Sequence, residues 1–174
     1  MNFIHKLTTV TLLLICVASL SGQNPVDFSL ISATDNSQFK LSKARGKFVA
    51  LHFLLKTECP VCLRHTQDYF SKAETLPDVE QVFIKPDTEK EIEAWSDNLS
   101  EEFIKFPIYR GPDAVLADQF NIPDGHEFHN QIVHFPALIF LDPNGKEVFR
   151  YIGKNNRDRY SFEHLESKIV ELKE

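Results

Sequence analysis

The feature that most constrains this chain is an apolar run that leads into a cysteine pair. Lys47 to Leu55 contains Phe48, Val49, Ala50, Leu51, Phe53, Leu54 and Leu55, interrupted by His52, and Cys59-Pro60-Val61-Cys62 follows closely. A strand apolar on both faces belongs in the middle of a sheet covered on both sides. Leu63, Thr66, Phe70 and Ala73 then recur at helical spacing, so a helix is expected to start near Pro60, where proline is tolerated in the first turn. The chain must therefore pass from a buried strand to a helix with a cysteine at the junction.

The remaining pattern completes an alternating fold. Asp27–Ile31 and Gln38–Leu41 flank Asp35-Asn36-Ser37 and read as a hairpin. Val79–Ile84 reads as a strand, and Thr88 with Glu91 forms a capping-box pair ahead of Ile92, Trp95 and Leu99. Phe106–Tyr109 is a short strand, and Asp113 can cap a short helix carrying Val115, Leu116 and Phe120. Val133–Leu141 is apolar but broken by His134 and Pro136; after the turn at Asp142-Pro143-Asn144-Gly145, Glu147–Ile152 returns as its partner. Ser161 opens a last helix with Phe162, Leu165, Ile169 and Leu172 on one face. The expected order is β-β-β-α-β-α-β-α-β-β-α. This is an α/β three-layer sandwich: a central mixed sheet flanked by helices, with an N-terminal β-hairpin extension.

A length of 174 residues with 43% hydrophobic residues and 15 Phe suits one domain with a substantial core. The formal charge of −6 and the absence of a Lys/Arg-rich run argue against nucleic acid as a partner. Residues 1–22 read as a signal peptide: Lys6, a short apolar stretch from Val10 to Ala18, then Ser19-Leu20-Ser21-Gly22. That stretch is shorter than the roughly 20 residues a membrane span needs. Cleavage, with no stable membrane insertion after it, is therefore expected, and retention as an anchor is the alternative. Residues 23–174 form the folded domain, and the product is expected outside the cytoplasm, periplasmic or extracellular. Cleavage removes Cys16, leaving Cys59 and Cys62 in an oxidising compartment.

Such a pair at a helix start has a specific chemistry. Free N–H groups and the helix dipole stabilise a thiolate at Cys59, which makes it the expected nucleophile. Cys62, one turn inward, can attack the resulting mixed disulfide and release the partner. Glu58 should oppose ionisation and Lys56 could offset it, so a moderately lowered Cys59 pKa and a reducing-to-intermediate potential are expected. His52 reads as a hydrogen-bonded core residue or as a proton shuttle for Cys62. His65 reads as a helix-surface residue or as one that approaches Cys62. Pro136, inside an apolar strand pattern, suggests a cis bond after Phe135 that ends the ladder and faces the cysteines. His126-Glu127-Phe128-His129 reads as a solvated loop, as does the polar stretch Lys154–Arg159. Structural zinc would need two further ligands with no compact spacing to supply them, so no metal and no bound cofactor are assigned.

Gly46-Lys47-Phe48-Val49-Ala50-Leu51-His52-Phe53, Cys59-Pro60-Val61-Cys62 and Phe135-Pro136-Ala137-Leu138-Ile139-Phe140-Leu141-Asp142-Pro143-Asn144-Gly145 together resemble the thioredoxin-like superfamily. The chain is most similar to exported TlpA/ResA-type thiol-disulfide oxidoreductases and to AhpC/TSA redoxin domains. The resemblance implies a thioredoxin fold, a redox-active Cys59/Cys62 pair, and substrate binding at Phe135 and a cis-Pro136. The implied partners are protein substrates bearing a disulfide or dithiol, and a redox partner protein that could sit in the membrane. The sequence departs from the family in three places, one of them the 74 residues from Cys62 to Pro136, more than a minimal thioredoxin has. Glu58 stands where an aromatic residue usually precedes the first cysteine, and Phe53 replaces the buried acid of ordinary thioredoxins. A peroxiredoxin-like thiol peroxidase is one alternative, but His52 and Lys56 occupy the positions where that motif sets its Pro and its Thr or Ser, with Thr57 one place off register. A copper-binding chaperone using Cys59, Cys62 and a His is the other.

Overall fold

The computed structural model describes residues 25–56, 59–99, 106–111, 114–128 and 131–173. The apolar run forms β3 (Phe48–Phe53) at the centre of a five-stranded sheet, after a small antiparallel hairpin of β1 (Ser29–Ile31) and β2 (Gln38–Lys40). β4 (Val79–Lys85) lies parallel to β3 on one side and carries β5 (Ile108–Arg110) on its outer edge. On the other side β8 (Ala137–Leu141) runs antiparallel to β3, followed by β9 (Glu147–Ile152), giving the order β5-β4-β3-β8-β9. Parallel pairing of β3, β4 and β5 needs crossovers, which α1 (Pro60–Lys72) and α2 (Glu89–Ser96) supply. The expected mixed sheet and N-terminal hairpin are both present.

Alternation along β3 builds two cores. Ala50, with Phe83, Leu138 and Phe140, packs beneath α1, α2 and α4 (Phe162–Lys173) through Tyr69, Phe70, Ile92, Trp95, Phe162, Leu165 and Ile169. Val49, Leu51 and Phe53 face the opposite way, against Leu30 and Phe39 of the hairpin and against Leu116 and Ala117 of α3 (Val115–Gln119). Successive side chains on a strand point to opposite faces, so a strand in this position must be apolar throughout. His52 is the exception, and its side chain packs among aromatic rings, stacked on Phe83 at 4.4 Å and edge-on to Tyr69 at 4.5 Å.

Three local expectations change. Val133–Leu141 is two strands rather than one: β7 (Gln131–His134) pairs with β6 (Asp124–Phe128), and β8 begins after Pro136. The split is at Phe135-Pro136, because proline has no N–H for a ladder and the Phe135 N–H is committed to Pro123 O at 2.9 Å. Asp124–Phe128 is consequently a strand and not a solvated loop, while His129 lies outside the described residues. No peptide bond among the described residues is cis, so Phe135-Pro136 is trans, contrary to the reading from its position. The expected cap Asp113 lies outside the described residues; the N-cap position of α3 is Ala114, with φ of 56°.

The capping box of α2 is complete, with Glu91 N–H donating to Thr88 Oγ1 and Thr88 N–H donating to Glu91 Oε2. Replacing an N-cap hydroxyl costs about 1 kcal/mol. Thr88→Ala is therefore expected to lower the unfolding free energy by about that amount in a urea titration, with the thiol titration of the cysteines unchanged.

Candidate active site

The site forms where β3 ends and α1 begins. Cys59 is the N-cap of α1 in extended backbone (φ −86°, ψ 97°), and Pro60 occupies the first turn. The Cys59 sulfur accepts from the Cys62 N–H at 3.2 Å and is half-buried, whereas Cys62 is completely buried. Cys62 Sγ accepts from the Leu55 N–H at 3.3 Å. Arg159, from the loop before α4, donates through Nη2 to Cys62 Sγ at 3.1 Å and reaches Cys59 Sγ at 3.5 Å. Both cysteines are free thiols, so the arrangement is a dithiol held in a ring of N–H donors and one guanidinium.

The pair shares its titration. Burial pushes the Cys62 thiol up, but the hydrogen bond from Cys59 and the charges of Arg159 and Lys85 outweigh it and draw Cys62 below the ordinary thiol range. Cys59 is pushed well above the ordinary thiol range by that same hydrogen bond, by burial and by the charge on Cys62. The N-terminal dipole and Arg159 act on both sulfurs, and the Leu55 amide adds a donor to the inner one, so the pair is built to carry one negative charge between them. Cys59 is still the sulfur an external partner can meet, because Cys62 is sealed beneath it.

The neighbours fall differently from the sequence reading. Glu58 and Thr57 lie outside the described residues. The cations acting on the sulfurs are Arg159 and Lys85, not Lys56, whose charge falls on Glu91. His52 is buried with both ring nitrogens occupied: Nε2 donates to Gln81 Oε1 at 2.8 Å, and Nδ1 accepts from His65 Nε2 at 3.2 Å. It therefore has no ring nitrogen to offer Cys62. His65 is not a simple surface residue. It is half-buried, joins His52, and lines a cavity of about 10 Å³ with Pro136, Arg159 and Tyr160. Burial, set against the bond to Gln81, lowers His52 to about 4. Burial and the charges of His52 and Arg159 lower His65 as well.

Phe135 and Pro136 have little backbone left for a ligand. The Phe135 N–H is bonded to Pro123 O, its carbonyl accepts from His134 Nδ1 at 2.7 Å, and the Pro136 carbonyl accepts from the Gly153 N–H at 2.8 Å. Among the described residues no three His, Cys, Asp or Glu side chains are grouped to hold a metal ion, so the copper reading finds no third ligand there. Arg159 was read from sequence as part of a solvated loop. Its place in the chain carries no signal, because 97 residues separate it from Cys62.

A strand ending in a dithiol at a helix N-terminus, within a sheet of this order, defines a thioredoxin-like redox protein. The sequence profile of the AhpC/TSA family matches residues 21–148, and the chain belongs to that family. Its fold is similar to that of the reduced 2-Cys peroxiredoxin of Plasmodium vivax, with a TM-score of 0.73 at 19% identity over 88% of this chain and 96% of that one. AhpC of Enterococcus faecalis is similar with a TM-score of 0.73 at 19% identity, covering 88% and 92% of the two chains. The pneumococcal exposed lipoprotein thioredoxin of Streptococcus pneumoniae gives a TM-score of 0.66 at 20% identity, covering 84% and 99%. No curated protein sequence matches the chain.

Two measurements test this electrostatic account. An opposite charge beside an ionising group typically moves its pKa by about 1–3 units. Arg159→Met is therefore expected to raise the first apparent pKa of the dithiol by about one unit or more, read from thiolate absorbance. His52 binds a proton less readily folded (about 4) than unfolded (6.5), so stability is lost as pH falls through that window. The difference corresponds to about 3 kcal/mol at about 1.36 kcal/mol per unit. Urea midpoints of the His52→Gln variant should show a correspondingly flatter acid limb between those pH values.

Proposed function

We propose that this redoxin is an exported thiol-disulfide oxidoreductase that exchanges the Cys59/Cys62 dithiol with disulfides on protein substrates. The observation that carries the reading is the arrangement of the two sulfurs. The half-exposed Cys59 sulfur shares its titration with a buried sulfur one helical turn away, and the Arg159 guanidinium reaches both. That is a nucleophile with its own base. As Cys59 Sγ attacks one sulfur of the substrate, Cys62 takes its proton, the substrate S–S bond breaks, and a mixed disulfide forms. Cys62 then attacks Cys59 Sγ and breaks the mixed disulfide. Its proton passes to a departing substrate thiolate, and the other thiolate takes one from water. Two electrons move from the dithiol to the substrate; run in reverse, the same steps oxidise a substrate dithiol.

Export rests on the apolar segment and small residues within residues 1–22, and the periplasm or extracellular space is the proposed location. No helix among the described residues is long and apolar enough to cross a membrane. No bound cofactor is required, and electrons pass to or from a separate redox protein, which could sit in the membrane. A thiol peroxidase is the second reading, favoured by Arg159 reaching the Cys59 sulfur. Against it, Lys56 occupies the position where the peroxidatic motif needs a hydroxyl.

Expression of Cys62→Ala in the native compartment tests both. Thiol-sensitive covalent adducts to proteins through Cys59, with negligible hydrogen-peroxide turnover by the unsubstituted protein, are expected. Rapid peroxide turnover without protein adducts would replace the first reading by the second.

A further inference from the structure

Lys85 is a buried charge near the dithiol that the exchange steps leave unused. It ends β4, is completely buried, and is paired at 3.2 Å with Asp87, itself buried. Its ammonium lies 4.4 Å from the Trp95 ring centroid, over the indole. A buried charge is costly unless paired and hydrogen-bonded, so such a group needs a structural or chemical reason. Lys85 Nζ donates to Leu55 O at 2.7 Å, and the Leu55 N–H in turn donates to Cys62 Sγ at 3.3 Å. One residue therefore links the ammonium to the inner sulfur, its carbonyl tied to the lysine and its amide tied to the thiolate.

We infer that Lys85 is a positioning residue for the resolving cysteine: clamped by Asp87 and Trp95, it fixes the Leu55 amide on Cys62 and supplies a buried positive charge beneath it. The inner sulfur is thus held between two cations. Arg159 approaches from the half-exposed side and can respond to a bound partner. Lys85 approaches from the core and is held in place by its ion pair. Phe53 leaves the central strand without an acid, and the Lys85–Asp87 pair brings the buried charge in from the neighbouring strand. Hydrogen bonds to a charged acceptor are stronger than neutral ones, so the Leu55 amide favours the thiolate over both the thiol and the disulfide. The inference rests on the proposed exchange chemistry for its purpose, but the thiolate it concerns is measurable without any substrate.

The test uses the reduced full chain. Lys85→Met keeps the length and apolar volume of the side chain, and Lys85→Met/Asp87→Asn also removes the carboxylate that would otherwise be buried alone. In the folded double variant the first apparent pKa of the dithiol should rise, and the equilibrium constant with glutathione should shift toward the disulfide by about tenfold, or about 30 mV for a two-electron couple. An unchanged titration and an unchanged equilibrium constant in that variant would overturn the inference. A second measurement needs no substitution: the Lys85 Nζ nitrogen resonance of the unsubstituted protein should follow the dithiol titration and stay flat in the disulfide form. A resonance indifferent to the titration of the reduced pair would also overturn it. Loss of substrate turnover alone bears on the proposed exchange reaction and leaves these two readouts untouched.

Discussion

The structure turns on a paired thiol, one sulfur of it fully buried, that must be able to carry a negative charge. Burial alone would keep Cys62 protonated, because a low-dielectric interior penalises the ion. The fold answers with an amide from Leu55, a guanidinium from Arg159, an ammonium from Lys85 and the thiol of Cys59, all directed at or acting on one atom. Each comes from a different part of the chain, so assembling them requires the whole sheet. The outer sulfur is then reactive by proximity: it has an acceptor for its proton one turn away and an open side for a partner.

The surrounding packing explains why the site keeps this shape. β3 is enclosed by two cores, and its C-terminal end is where the Leu54–Lys56 connection must pass between β4 and the start of α1. The Leu54 N–H continues the ladder to Ile84 O at 2.9 Å, and the Leu55 carbonyl is taken by Lys85. The connection therefore has little freedom, and the sulfur it serves inherits that rigidity. On the other side, the loop carrying Arg159 lies against Pro136 through the Gly153 N–H. The bond that anchors the start of this loop also occupies the Pro136 carbonyl. The site thus uses for internal support some of the groups that its family resemblance assigns to substrate.

The two histidines illustrate a different balance. His52 lies in an aromatic cage with both nitrogens bonded, and protonating it would put a charge among Phe83, Tyr69 and His65. Its contribution is structural and depends on its remaining neutral. His65 connects this cage to the cavity beside Arg159, so the core and the site share one hydrogen-bonded element.

Much of this was legible because it is local. A run apolar on both faces can only be a central strand, a capping box signals its own helix, and a cysteine pair spaced by one turn at a helix start dictates which sulfur is outer and which inner. Each of these depends on residues within a few positions of one another, where backbone periodicity alone decides which side chains meet. What escaped the sequence depends on contacts between distant segments. Arg159 reads as a solvated loop residue until β9 and its following loop carry it onto the sulfurs, and Lys85, just past the expected strand Val79–Ile84, carries no signal until Asp87 and Trp95 enclose it. The β6–β7 pairing and the bond from the Phe135 amide to Pro123 O join segments that no local pattern connects. The sequence by itself determined the elements, the sheet's central strand and the chemistry of a paired thiol. Only the tertiary fold set Arg159 and Lys85 around the pair, because both cations come from segments far along the chain that no local pattern joins to it.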